Sequence, residues 1–122
     1  MAKVQYTKVT PIKKIEPVTF DLDGNEITVI QYLSIDEKTN LISDVLNAVL
    51  DGTGYYNPVR LEVWFNIMVI KYYTNISITD KQMEDITKVY DLLSMNNVFE
   101  AVIAHIPAEE YEAIFNAVEE CA

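Results

Sequence analysis

The chain has 122 residues, half of them hydrophobic and 11% aromatic, enough for one domain with its own core and too apolar for global disorder. Only 3 Gly and 4 Pro leave few tight turns, which argues against an all-β sandwich. Lys3, Lys8, Lys13 and Lys14 precede any acid, whereas the other 108 residues set 19 acids against 5 bases, a net −14 that disfavours nucleic acid as a partner.

Residues 1–17 read as an extended basic arm. Val4, Tyr6, Lys8 and Val9 give it mixed character, Pro11 and Pro17 break it, and it has too few apolar residues for a private core. No helix is expected there, and the absence of an apolar h-region argues against a signal peptide. The arm is either a frayed terminus or a strap laid across a neighbouring subunit. In the second case Lys3, Lys8, Lys13 and Lys14 meet the neighbour's acids, while Val4, Tyr6 and Val9 add apolar burial.

Residues 18–122 read as a single domain, a hairpin at 18–31 followed by a helical body at 34–122. Val18, Phe20 and Leu22 alternate with polar residues, as do Ile27 and Val29 on the return, and Asp23-Gly24 supplies the positive φ a hairpin turn needs. A lone two-stranded hairpin is marginal in water, so it must lie on the helices or join strands of another copy.

Ser34 and Glu37 fit a capping box, with Leu33 placed as a staple. Leu41, Ile42, Val45, Leu46, Val49 and Leu50 then form a broad stripe, stopped at 51–54 by two glycines. Tyr55 and Tyr56 lead into the stretch the domain is built around, 57–73. Asn57 suits its N-cap and Pro58 its first turn. Leu61, Trp64, Phe65, Met68 and Ile70 cover one side, and Val59, Val63, Ile67 and Val69 much of the other. A helix apolar nearly all round is a buried one, and Arg60, Glu62 and Lys71 make it too charged for a membrane span. Trp64→Ala is expected to cost about 3–5 kcal/mol, the range for aromatic truncation in cores. In each tyrosine pair, 55/56 and 72/73, one ring is expected to face in and the other out; Tyr55 and Tyr73 join the arm as candidate contact residues.

A non-helical connector spans 74–78, where the sequon at Asn75 reads as chance. Thr79 and Gln82 give a second capping box for a helix over 80–94, with Met83, Ile86, Val89, Tyr90, Leu92 and Leu93 inward. A short helix with Val98, Ala101, Val102 and Ile106 ends before Pro107. The last helix carries Glu109 and Glu110 in its first turn, where the macrodipole favours acids, and a stripe of Tyr111, Ile114, Phe115 and Val118. The fold class that follows is mainly α: about five helices around a central buried helix, with an N-terminal β-hairpin and an extended N-terminal arm.

Chemistry is hard to find in this pattern. Asp21, Asp23 and Asn25 imitate the start of a calcium loop, but Glu26 and Tyr32 stand where glycine and a bidentate glutamate are required. His105 and Cys121 are the only residues of their kinds and are badly spaced for zinc. One cysteine cannot cross-link the chain to itself, which suits a reducing, intracellular setting. His105 reads as a cation near a helix C-terminus rather than a general base, and the pairs Glu84/Asp85, Glu109/Glu110 and Glu119/Glu120 read as solvated faces. No Gly-rich phosphate loop is present. No catalytic residue, metal, cofactor or small-molecule substrate is expected, and the chain reads as a non-enzyme.

Two stretches, EITVIQYLSIDEKTNLI at 26–42 and ITDKQMEDITKVYDLL at 78–93, resemble small acidic proteins from the structural-gene modules of tailed bacteriophages of Gram-positive hosts. Some of those are similar to tail assembly chaperones, which are small and helical and bind the tape measure protein. The resemblance implies a morphogenesis or virion protein that binds other phage structural proteins, in the host cytoplasm during assembly or in the particle, without membrane contact. The basic arm suits a virion subunit better than a chaperone and favours a homo-oligomer. A second reading, from charge alone, is a small acidic inhibitor of a host defence nuclease that mimics DNA; against it, the acids are scattered over several helices.

Overall fold

A computed structural model describes residues 1–49 and 58–121 of the chain. The arm departs from expectation in one place. Tyr6–Val9 form a single helical turn, α1, which ends where Thr10, the residue before Pro11, leaves the helical region at φ −126° and ψ 56°. One turn needs no core behind it, and the Thr10 hydroxyl closes it by donating to the Tyr6 carbonyl at 2.7 Å. Residues 1–19 are all exposed.

The hairpin forms as β1 (Val18–Leu22) and β2 (Asn25–Val29), with Val18 opposite Val29, Phe20 opposite Ile27 and Leu22 opposite Asn25. Asp23 at φ 52° and Gly24 at φ 85° supply the two left-handed residues of a two-residue turn. The hairpin lies on the helical body: Ile27 and Val29 are buried, and Phe20 and Leu22 pack half-buried against the core.

Two long helices follow, α2 (Ile35–Val49) and α3 (Pro58–Tyr73). The Glu37 N–H donates to Ser34 Oγ at 3.2 Å, so Ser34 caps α2 as its spacing predicts. Leu41, Val45 and Val49 face inward and are buried. The Asn57 cap, Leu50, the 51–54 stop, Tyr55 and Tyr56 lie outside the described residues. In α3, Phe65, Ile67, Met68, Val69, Ile70 and Tyr73 are buried, so its C-terminal half is enclosed on nearly every side. Its first turns are less so. Leu61, Val63 and Trp64 are half-buried, and the Trp64 indole N–H is itself enclosed without an acceptor among the described residues. Trp64 therefore flanks the core rather than filling it, and the full core cost expected for its truncation does not apply to a site open on one side.

The chain after α3 closes the free edge of β2. The Ile30 N–H donates to the Tyr73 carbonyl at 2.7 Å. Asn75 accepts the Thr28 N–H at 3.0 Å and donates to the Glu26 carbonyl at 3.2 Å, so its amide acts as one rung of a third strand.

The helix expected over 80–94 is two: α4 (Asp80–Met83) and α5 (Ile86–Met95). The Thr79 capping box forms in both directions. α4 then tightens, with the Asp85 N–H donating to the Gln82 carbonyl three residues back, and Asp85 becomes the N-cap of α5 at φ −113° and ψ 69°. The Asp85 side chain makes no capping hydrogen bond to α5, so the break comes from the tightened turn that ends α4, inside an unbroken apolar period of the sequence. α6 (Val98–Ile103) is entered through Asn97 in the left-handed region, and α7 (Ala108–Cys121) ends the fold. α2 packs on α3 and α7, and α3 also meets α5 and α6. Val98, Val102, Ile106, Ile114 and Val118 complete the core. Phe115, expected in the α7 stripe, is 36% exposed and only edges onto Phe65, with ring centroids 5.4 Å apart. The mainly α class with an N-terminal hairpin stands, the surplus helices being single turns. Among the described residues no helix is long and apolar enough to cross a membrane.

Candidate interaction surface

Glu110, Tyr73 and His105 hold the elements of the body together through polar contacts. Glu110, grouped by sequence with the solvated acids, is buried at 8% exposure. Its Oε1 accepts the Leu33 N–H at 3.0 Å and the Tyr73 hydroxyl at 2.8 Å, and its Oε2 pairs with Lys38 Nζ at 3.3 Å. One carboxylate thus ties the end of the hairpin, α2 and α3 to α7. Burial, and after it the hydrogen bond and charge of Glu110, push the Tyr73 phenol far above its ordinary range. Tyr73 is 1% exposed, so the suggestion that it contacts a partner is corrected: its ring is core and its hydroxyl is taken. Tyr72 is the outer ring of that pair, half-buried and donating to Asp44. Burial, then that bond and charge, push its pKa up to about 12. Tyr55 lies outside the described residues.

Glu110 was legible in one respect. It stands four and eight residues before Ile114 and Val118, and Lys38 three, seven and eleven before Leu41, Val45 and Val49. Each charge continues the buried stripe of its helix, and opposite charges on two inward stripes imply a buried pair.

His105 is likewise structural. Its Nδ1 lies 2.7 Å from the Ala101 carbonyl, a contact that requires the Nδ1–H tautomer, and its ring stacks on Phe20 at 4.2 Å between centroids. The Gln31 side-chain amide donates to the His105 carbonyl at 2.7 Å. Together these clamp the hairpin to the end of α6. Asp21 and Asn25 are used in the hairpin turn, Asp21 Oδ2 accepting the Gly24 N–H at 3.2 Å. Cys121 is exposed and free. Among the described residues no three His, Cys, Asp or Glu side chains converge as a metal ion would require.

The arm is the opposite case. Lys3, Val4, Tyr6, Lys8, Val9, Lys13 and Lys14 are all exposed, with Val4, Tyr6 and Val9 65–77% accessible. Ile12 and Ile15 are exposed too, at 102% and 55%. From Tyr6 to Val18 an apolar side chain recurs every third residue. Among the described residues Lys14 pairs only with Glu16 beside it, at 3.3 Å with both groups in solvent, a contact worth about 0–1 kcal/mol. Charge and apolar surface therefore stand together on a segment that its own body does not cover.

Two open grooves lie among the described residues of the body. One, of about 660 Å³ between α3, α5, α6 and α7, is lined by Tyr90, Phe99 and Tyr111 and carries Glu62 and Glu100. Tyr90 and Phe99 are 5.1 Å apart between ring centroids, and Tyr111 is held by Asn66 at 3.4 Å. Burial, then the charge of Glu62, raises the Tyr111 pKa. The other, of about 570 Å³ between the 74–78 connector and α4–α5, has Ile76, Ile78, Val89 and Leu92 within and Lys81 and Lys88 on its rim. Neither groove was visible in the sequence, because each joins residues from three or four elements. Compared with known proteins, the chain matches no family model, no curated protein and no solved structure.

Proposed function

We propose that the chain is a non-enzymatic assembly protein that works by binding other proteins, copies of itself among them, as the phage structural-module proteins it resembles at 26–42 and 78–93 do. The observation that carries this reading is the arm. Eight lysine, aromatic and aliphatic side chains from Lys3 to Lys14 stand in solvent on a segment that its own acidic body does not cover. An exposed apolar series flanked by one sign of charge marks a binding segment. The body supports binding rather than catalysis, since Glu110, Tyr73 and His105 are all engaged in holding elements together. Within a phage assembly pathway, a virion subunit or a chaperone of the tail fits such a molecule.

Light-scattering mass of the full chain and of a chain lacking residues 1–16, at low and high salt, tests the proposal. The full chain is expected to self-associate more strongly at low salt, and the truncated chain to be a folded monomer. A full chain that is monomeric at every concentration and salt overturns it.

A further inference from the structure

We propose that the arm of one copy docks in the acidic aromatic groove of another, with α1 as the inserted element, Tyr6 and Val9 on the aromatic floor and Lys8 between Glu62 and Glu100. This rests on the self-association reading above and adds the receiving site.

Charge selects the groove. The arm carries four lysines and no acid through residue 14. Of the two grooves described above, the one between α4–α5 and the connector sets Lys81 and Lys88 against a single acid, Asp85, and so offers a basic arm no net attraction. The other has Glu62 and Glu100 and no basic residue among those lining it. Both glutamates are exposed, and neither forms an ion pair among the described residues, where the only pairs are Lys14–Glu16 and Lys38–Glu110.

The shape of the arm matches as well. Tyr6 and Val9 are three apart on one helical turn and so project on one side, with Lys8 beside them. The groove floor is Tyr90, Phe99 and Tyr111, rings that take apolar contact at their faces and a lysine ammonium by cation–π attraction. Arm and groove are different surfaces of one chain, so their contact is head-to-tail between copies and builds a ring or a filament, unless two chains exchange arms as a closed dimer.

The test joins charge exchange to cross-linking. Glu100→Lys replaces a rim attraction with a repulsion and should weaken self-association by about tenfold or more. Lys8→Glu in the same chain should restore it. Both positions are exposed, and an unchanged melting curve for each variant verifies the fold. In a Cys121→Ser background, a Lys8→Cys chain mixed with a Glu100→Cys chain should form a disulfide between the two. Arm-dependent association that ignores Glu100→Lys and gives no mixed disulfide overturns the groove and leaves the self-association reading intact. A Lys8→Cys, Glu100→Cys double variant that cross-links only within one chain overturns the exchange between copies. A full chain that never associates removes both.

Discussion

At the scale of single residues, the most consequential side chain is Glu110. Its two oxygens hold the Leu33 N–H, the Tyr73 hydroxyl and the Lys38 ammonium in a site where only 8% of the residue remains exposed. Its removal leaves the Leu33 N–H and the enclosed Tyr73 hydroxyl without an acceptor and the half-buried Lys38 without its counter-ion, so Glu110→Ala should destabilise by about 3–5 kcal/mol. Glu110→Gln keeps an oxygen for Leu33 and Tyr73 and should cost less. Urea unfolding of the three proteins decides it, and a loss under about 1 kcal/mol for alanine would show that the carboxylate is not a keystone. Tyr72 gives a pH signature. Its pKa is about 12 in the fold against an ordinary 10.0, so between those values the folded state keeps a proton the unfolded state has lost. Its contribution is intact below pH 10.0 and fades as pH rises toward about 12. Tyr72→Phe should flatten that part of the decline in unfolding midpoint, and remove one tyrosinate absorbance step near 12.

At the scale of elements, burial sorts the helices. α3 is enclosed from Phe65 to Ile70 and again at Tyr73, interrupted only by the half-buried Asn66, and it closes the hairpin through the Tyr73 carbonyl. α4 and α5 contain no fully buried residue, and Leu92 and Met95 are 47% and 70% exposed. Local opening is cheapest where few apolar groups are enclosed. Amide exchange should therefore be slowest across 65–73 and markedly faster across 80–95. Equal protection in the two segments would mean that α5 is held by more than its half-buried stripe.

At the scale of the whole molecule, the division is between a closed body and an arm outside it. The body's hairpin and helices and the contacts of Glu110 complete one another, while residues 1–17 contribute no residue to its core. The chain lacking residues 1–16 should accordingly unfold at the same temperature as the full chain when both are monomeric at high salt. A clear drop in the melting temperature would mean that the arm folds against its own domain in solution. If copies associate through the arm as proposed, the separation of +4 on the arm from −14 on the rest should make that contact stronger at low salt, where screening is weak.

The sequence by itself determined the elements and the arm. Periodicity placed α2, α3 and α7, Asp23-Gly24 placed the hairpin, Thr79 and Gln82 placed a cap, and the lysines before residue 15 separated arm from body, because each of those signals is local. What was misread was local in kind but outvoted: Asp85 starts a helix inside an apolar period, and Thr10 ends a single turn that no core supports. Only the tertiary structure decided the rest. It brought the half-buried Lys38 to the buried Glu110, turned Tyr73 inward, stacked His105 on Phe20 and gathered Tyr90, Phe99 and Tyr111 around Glu62 and Glu100. Each of those arrangements joins residues far apart in the chain, and a charge on an inward stripe is stable only when another element brings its partner.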